Sequence, residues 1–279
     1  MSYRTFQRPS SASWTTGDWL DWSMQEGLLL DVRTDIPEGV CVGCFGGTKK
    51  SYEDVSVKLT SEGLSTQTEL LRWPTCYGCF NSEGLDGLLP ISYSLHNRLE
   101  SAIARAKDDR SSRWLNTPLA CILYEFLTDH WECIENKWGA IDVITVVPSH
   151  HTARTGWDHM KYLVSRVTGW PEEELWDLDL LEKQSRSEAG GRRGRPNKDL
   201  FRLSSEPRRV DGRRVLLVDD TYTTGGTLRS AGLAIKAAGG SAIGVTIGRQ
   251  IRDDEYGGHI VADALRRSPL YDPHRCALH

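Results

Sequence analysis

The spacing of apolar residues changes character along the chain, and each change marks a different kind of element. Leu95, Leu99, Ile103 and Ala106 recur at the interval of a helix face, and Leu119–Ile134 repeats that period after Pro118. Two helices within 91–136 are therefore expected to precede the main sheet. Ile141–Val147 (IDVITVV) is a β-branched run stopped by Pro148, the pattern of a strand buried on both faces of a parallel sheet. A helix is expected after it, from Trp157 to Val167. Arg214–Val218 reads as a second buried strand, Thr227–Ala238 as a helix ended by Gly239-Gly240, and Ala242–Ile247 as a third strand. Strand, loop, helix and strand in that order imply a right-handed parallel crossover, so the fold class predicted is α/β. The short apolar run Leu28–Val32 fits either one strand or a turn of helix.

At 279 residues the chain has room for one sizeable α/β domain and a small appendage. The divisions expected are an N-terminal extension at 1–40, a cysteine module or hood at 41–90, and the main domain at 91–279. Cys41/Cys44 and Cys76/Cys79 form two C-x2-C pairs at the ends of a Gly-, Ser- and Thr-containing stretch. Such a stretch has too poor a core to fold without a staple. Four thiolates from two such knuckles suit a tetrahedral structural Zn²⁺, the alternative being free cysteines. His130/Cys133 and Cys276/His279 also have metal-like spacing. The first pair lies in an amphipathic helix and the second at the chain end, so neither is expected to bind.

Composition changes the picture in what it excludes. With 39% hydrophobic and 26% charged residues, the chain is neither disordered nor fibrous. No run approaches the roughly 18 apolar residues of a membrane span, and the N-terminus lacks the layout of a signal peptide. A cytoplasmic protein with no membrane partner is expected. A net charge of −4 gives no general attraction to nucleic acid, and the interval between the cysteine pairs carries only Lys49, Lys50, Lys58 and Arg72 as basic residues. Nucleic acid is thus a possible partner but not an indicated one, and a homo-oligomer is left open. Positive charge is local instead: Lys183–Arg214 holds eleven Lys/Arg against four Asp/Glu. The Gly/Arg tract Ser185–Lys198 within it has the composition of a surface loop. Trp14, Trp19 and Trp22 cluster near the N-terminus, where core or interface packing is their expected use.

Candidate chemistry concentrates in Arg214–Leu228, RVLLVDDTYTTGGTL. An apolar strand ends in Asp219 and Asp220 and runs into a Thr/Gly loop that opens a helix. Carboxylates at the carboxyl end of a parallel strand can accept hydrogen bonds from vicinal hydroxyls or hold a hydrated cation. Thr223, Thr224, Gly225, Gly226 and Thr227 offer backbone N–H groups and hydroxyls at a helix N-terminus, where a phosphate is favoured. Together they describe a site for a sugar phosphate. The plainer alternative is a glycine-containing turn whose aspartates merely cap the helix.

The same string, with both acids and the full T-T-G-G-T, resembles the 5-phosphoribosyl-1-pyrophosphate (PRPP) motif of type I phosphoribosyltransferases. The chain from Cys41 to about Gly248 is similar to the ComF-type members, which place a cysteine zinc module ahead of the transferase domain. The points of similarity are the C-x2-C pairs, the helix with Arg98 and Lys107, VVPSHHTARTGW, and Gln184 with Arg195-Pro-Asn197 and Phe201. The resemblance implies a type I phosphoribosyltransferase fold, a parallel Rossmann-like sheet flanked by helices, with a small N-terminal zinc-binding module of four cysteines. It implies Mg²⁺-dependent transfer of phosphoribosyl from PRPP to a small nitrogenous acceptor with pyrophosphate release. PRPP binding falls to Asp219, Asp220, Thr221, Thr223, Thr224, Gly225, Gly226 and Thr227, with the two aspartates catalytic. Ser149, His150, His151 and Arg154 correspond to the pyrophosphate loop, although a zinc site or a polar turn also fits that string. Lys183–Lys198 corresponds to a lid. Two departures stand out: 31 residues separate Cys44 from Cys76, and His159 stands where the family pattern has glutamine. The competing function is a non-catalytic PRPP- or nucleotide-sensing accessory protein acting in DNA uptake or regulation.

Overall fold

The computed structural model describes residues 3–10, 13–32, 40–47, 76, 79, 83–96, 98–149, 157–184, 195–204, 210–252, 258–266 and 271–278, except the side chain of Ile260. His150, His151, Arg154 and the middle of the basic tract, 185–194, lie outside these residues. The elements in chain order are α1 (Thr16–Gln25), β1 (Gly87–Ser94), α2 (Leu99–Asp108), α3 (Asn116–Trp138), β2 (Val143–Val146), α4 (His159–Val164), β3 (Leu181–Lys183), β4 (Phe201–Leu203), β5 (Arg214–Tyr222), α5 (Gly226–Ala237), β6 (Ser241–Gln250) and α6 (Gly258–Arg266). β1, β6, β5 and β2 form, in that order, a four-stranded parallel sheet. The chain is thus α/β, as the apolar periods imply.

Both faces of the sheet are buried, and alternation along each strand divides them. Leu216 and Val218 of β5, Ile243, Val245 and Ile247 of β6, and Leu89, Ile91 and Tyr93 of β1 enter a core shared with α1, α2, α3, α4 and α6. Val215 and Leu217 of β5, Ala242 of β6 and Leu88 of β1 enter a second core with α5 and the β3–β4 pair. The β1-to-β2 connection crosses the sheet in one direction and β5-to-β6 steps back in the other. Right-handed crossovers running in opposite directions put their helices on opposite faces, as α2–α3 and α5 are. Gly244 lets α5 lie close on β6, because a Cβ there would sit 2.6 Å from Leu228 Cδ2.

Five strands depart from the expected pattern. β1 runs across the 90/91 division and adds an edge strand where helix was expected from residue 91; Pro90, which lacks an N–H, is tolerated at a sheet edge. β5 continues beyond Val218 to Tyr222, and β6 beyond Ile247 to Gln250, so polar residues of both strands stay in the ladder. The antiparallel pair β3–β4, too short to show a period, closes the base of the basic tract: Lys183 pairs with Phe201, and Gln184 N donates to Leu200 O at 2.9 Å.

The N-terminal residues pack on the main domain. α1 starts with a capping box in which Thr15 Oγ1 accepts from Asp18 N, and the Asp18 carboxylate accepts from Thr15 N. Trp19 and Trp22 then meet Trp114 with ring centroids 6.3 and 5.6 Å away, while Trp14 lies 4.7 Å from Trp19. Leu28 and Leu29 of the short apolar run are buried without joining a strand, and Leu30 is tied to β1 through Tyr93 N and Ser92 Oγ. Among the described residues no helix is long and apolar enough to cross a membrane.

Candidate functional site

β5 carries Asp219 and Asp220 to the carboxyl end of the sheet, and alternation sends their side chains to opposite faces. Asp220 follows Val218 toward the α2 and α4 side. There Lys107 Nζ, in the last turn of α2, lies 2.5 Å from Asp220 Oδ2, and His159 Nε2, in the first turn of α4, lies 3.1 Å from the same oxygen. Asp220 and His159 are 2% and 0% exposed, whereas Lys107 keeps 28% of its side-chain surface. Burial by itself would raise the Asp220 carboxyl, but the Lys107 and His159 charges outweigh it and hold the group below its ordinary range. The same partners work in reverse on Lys107: burial would lower it, and Asp220, then Asp219, keep it above its usual value.

Asp219 has the opposite character. Burial and then the neighbouring Asp220 charge push its carboxyl up to about 7. Asp219 Oδ1 accepts from Asp220 N at 2.9 Å. One carboxylate is therefore committed to Lys107 and His159, and the other is poised to gain or lose a proton near neutrality.

The strand then turns into the Thr/Gly loop. Gly225 ends it at φ +79°, a left-handed conformation that a side chain resists, and its Cβ would also collide with the Tyr222 ring. No side chain caps α5, so the first-turn N–H groups of the helix face the loop. Thr223 Oγ1 donates to Gln250 Oε1 at 2.9 Å, and Gln250 Nε2 donates to Glu100. Asn197 N, near the end of the basic tract, donates to Ser230 Oγ of α5 at 2.8 Å. Ser149 Oγ accepts from His159 N at 3.4 Å, bringing the start of the expected pyrophosphate turn beside Asp220. Lys183 Nζ donates to Pro148 O at 3.3 Å, under the same turn.

The four cysteines of the C-x2-C pairs converge: their sulfurs all lie within 4.8 Å of one another, with Cys44 and Cys76 3.8 Å apart. Tetrahedral thiolate coordination with bonds of about 2.3 Å needs sulfurs roughly 3.8 Å apart. The group can therefore hold a metal ion such as zinc. Hydrogen bonds from Cys41, then Cys76 and Cys79, hold the Cys44 thiol well below its ordinary range, and the Arg249 charge adds to this. Further donors surround the cluster: Cys76 N to Cys41 Sγ at 3.2 Å and Arg229 Nη2 of α5 to Cys79 Sγ at 3.0 Å.

Arg249 of β6 joins the two sites. Its Nε donates to Cys44 O at 2.5 Å, and its Nη1 donates to Tyr222 O at 3.1 Å and Thr223 O at 2.9 Å. One buried guanidinium thus spans the cysteine cluster and the entrance of the Thr/Gly loop.

No protein-family model matches the chain, and no curated relative does. The functional reading rests on this geometry. Sequence reasoning placed the aspartates, the loop and the cysteines. It gave no role to Lys107, His159, Arg229 or Arg249, whose partners lie up to 205 positions away in the chain, as Arg249 does from Cys44. Lys107 in the last turn of α2 and the departure at His159 were the only local signals.

Proposed function

We propose that the chain is a type I phosphoribosyltransferase-like protein that binds PRPP at Asp219 and Thr223–Thr227, with Asp220 held beside the site by Lys107 and His159, and transfers its phosphoribosyl group to a nitrogenous acceptor. The observation that carries the reading is the junction of β5 and α5: a buried carboxylate pair within the strand, followed directly by an uncapped helix N-terminus behind a left-handed glycine. In such sheets ligands bind at the carboxyl ends of the strands.

In the transfer the anomeric C–O bond to pyrophosphate breaks as the acceptor nitrogen approaches, so positive charge grows on the ribose and negative charge on the leaving group. Asp219 accepts hydrogen bonds from the ribose hydroxyls and faces the cationic ring. The loop amides and hydroxyls of Thr223–Thr227 fix the 5′-phosphate, so catalysis is chiefly positioning and electrostatics. Lys107 neutralises Asp220, which spares an incoming polyanion the repulsion of a second carboxylate. Mg²⁺, when bound with PRPP, supplies charge neutralisation of the pyrophosphate. Asp219 fits a hydrated cation or the vicinal hydroxyls, whereas Asp220 is already engaged by Lys107 and His159. In the cysteine cluster, Zn²⁺ held by Cys41, Cys44, Cys76 and Cys79 serves as a structural staple.

The engagement of Asp220 also suits the second reading, a PRPP-sensing protein without turnover. Calorimetric titration with PRPP, with and without Mg²⁺, followed by a pyrophosphate-release screen against purine, pyrimidine and other nitrogenous acceptors, separates the two. Mg²⁺-dependent binding with acceptor-dependent release supports the transferase, and binding alone supports the sensor. Absence of binding removes both. Asp219→Asn is expected to weaken PRPP at least about tenfold, in line with a charge-assisted hydrogen bond of roughly 1.5–3 kcal/mol.

A further inference from the structure

Away from the β5–α5 junction, the fold brings the His130/Cys133 pair together with Cys276, far from it in the primary structure. His130 and Cys133, three residues apart, share one face of α3. Cys276 comes from the C-terminal segment. One ligand atom from each of the three lies within 4.8 Å of the other two, and His130 and Cys276 are buried. The Cys133 Sγ–His130 Nδ1 separation is 3.8 Å, close to the roughly 3.6 Å that sulfur and nitrogen keep when sharing a tetrahedral zinc ion with bonds of about 2.3 and 2.0–2.1 Å.

The tautomer of His130 points the same way. Its Nε2 lies 2.9 Å from Pro273 O, and a carbonyl can only accept, so Nε2 carries the proton. In the neutral imidazole Nδ1 then presents its lone pair toward the sulfurs. A ring N–H anchored on a backbone carbonyl is the usual outer-shell support of a metal-binding histidine. The segment that delivers Cys276 is itself held in place. Asp272 N donates to Asp31 Oδ1 at 3.0 Å, Asp272 Oδ1 accepts from His274 N at 3.0 Å, and Arg275 N donates to Asp272 O at 3.1 Å. Tyr271, Cys276 and Ala277 are buried in the core alongside α3.

We propose that His130, Cys133 and Cys276 form a second metal site, selective for a borderline-soft divalent cation such as Zn²⁺, that clamps the C-terminal segment onto α3. Two thiolates and an imidazole suit zinc rather than magnesium or calcium, which prefer oxygen donors. Three protein ligands leave one coordination position to water. The site lies in the last third of α3, a helix that returns from the carboxyl end of β1 to the amino end of β2. The role proposed for it is structural.

The test is the metal content of the purified full-length chain combined with ¹¹³Cd NMR of the cadmium-substituted protein. Wild type is expected to hold two zinc ions per chain and to give two cadmium resonances, one from four sulfurs and one from a mixed sulfur–nitrogen site. Cys276→Ala is expected to halve the zinc content and remove the mixed-donor resonance, leaving the four-sulfur resonance in place. Cys133→Ser should do the same, which guards against one substitution failing to fold. A wild-type spectrum without a mixed-donor resonance overturns the proposal. So does a mixed-donor resonance that survives in both variants, or a Cys133–Cys276 disulfide in protein purified under reducing conditions. Because the two sites are read by separate resonances, an empty four-cysteine cluster is not mistaken for an empty His130 site.

Discussion

Asp219 and Asp220 are adjacent in sequence and opposite in behaviour, since strand alternation exposes them to different neighbours. Asp220 balances Lys107 and His159 in a buried cluster. Asp220→Asn leaves a cation without its counter-charge and is expected to lower stability by about 2–3 kcal/mol, below the full cost of breaking a buried pair because Lys107 reaches solvent. Urea unfolding of both single variants checks this, and Asp219→Asn should be the milder change. Asp219 also has a pH signature. Its folded value of about 7 lies above the ordinary 3.8, so the native state keeps a proton that the unfolded chain has released. That contribution is complete below about pH 4 and is lost as pH rises through about 7. Wild-type melting temperature should therefore carry a falling component between about pH 4 and pH 7, and Asp219→Asn should flatten it. An unchanged slope in the variant would assign the titration elsewhere.

At the scale of elements, β6 links the cysteine cluster to the Thr/Gly loop. Arg249 holds Cys44 O together with the carbonyls of Tyr222 and Thr223. Arg249→Leu leaves those acceptors unpaired and frees the loop entrance. The expected result is a loss of about 2–4 kcal/mol in urea unfolding together with weaker PRPP binding in calorimetry; intact binding in a folded variant would mean that the loop holds its shape without this bond. The elements themselves were legible to differing degrees. α3, β2, the core of β5, α5 and β6 announce themselves through sustained apolar periods. β1 did not, because Pro90 and its position before a helical pattern masked an edge strand. β3 and β4 did not either: three residues with one buried side chain each carry no readable period. The ends of β5 and β6 were set short because polar residues there look like loop until their burial partners are known.

Across the whole molecule, the N-terminal tryptophans bind distant parts of the chain into one core. Trp22 is 7% exposed and meets both Trp19 and Trp114 edge-on. Trp22→Ala is expected to cost about 3–5 kcal/mol, the range for removing a buried large aromatic side chain. Unchanged denaturant stability would show that residues 1–32 add little to the main domain. By itself the sequence determined the α/β class, the carboxylate–loop–helix string and the two C-x2-C pairs, because these are local patterns written in adjacent residues. Only the tertiary structure decided that Lys107 and His159 share Asp220, that Arg249 spans the cysteines and the loop, and that His130, Cys133 and Cys276 converge. The physical reason is common to all three. A side chain's charge and chemistry are fixed by its own residue type, but its partner is chosen by which strands and helices pack together, and that choice is made by the apolar faces of the whole chain.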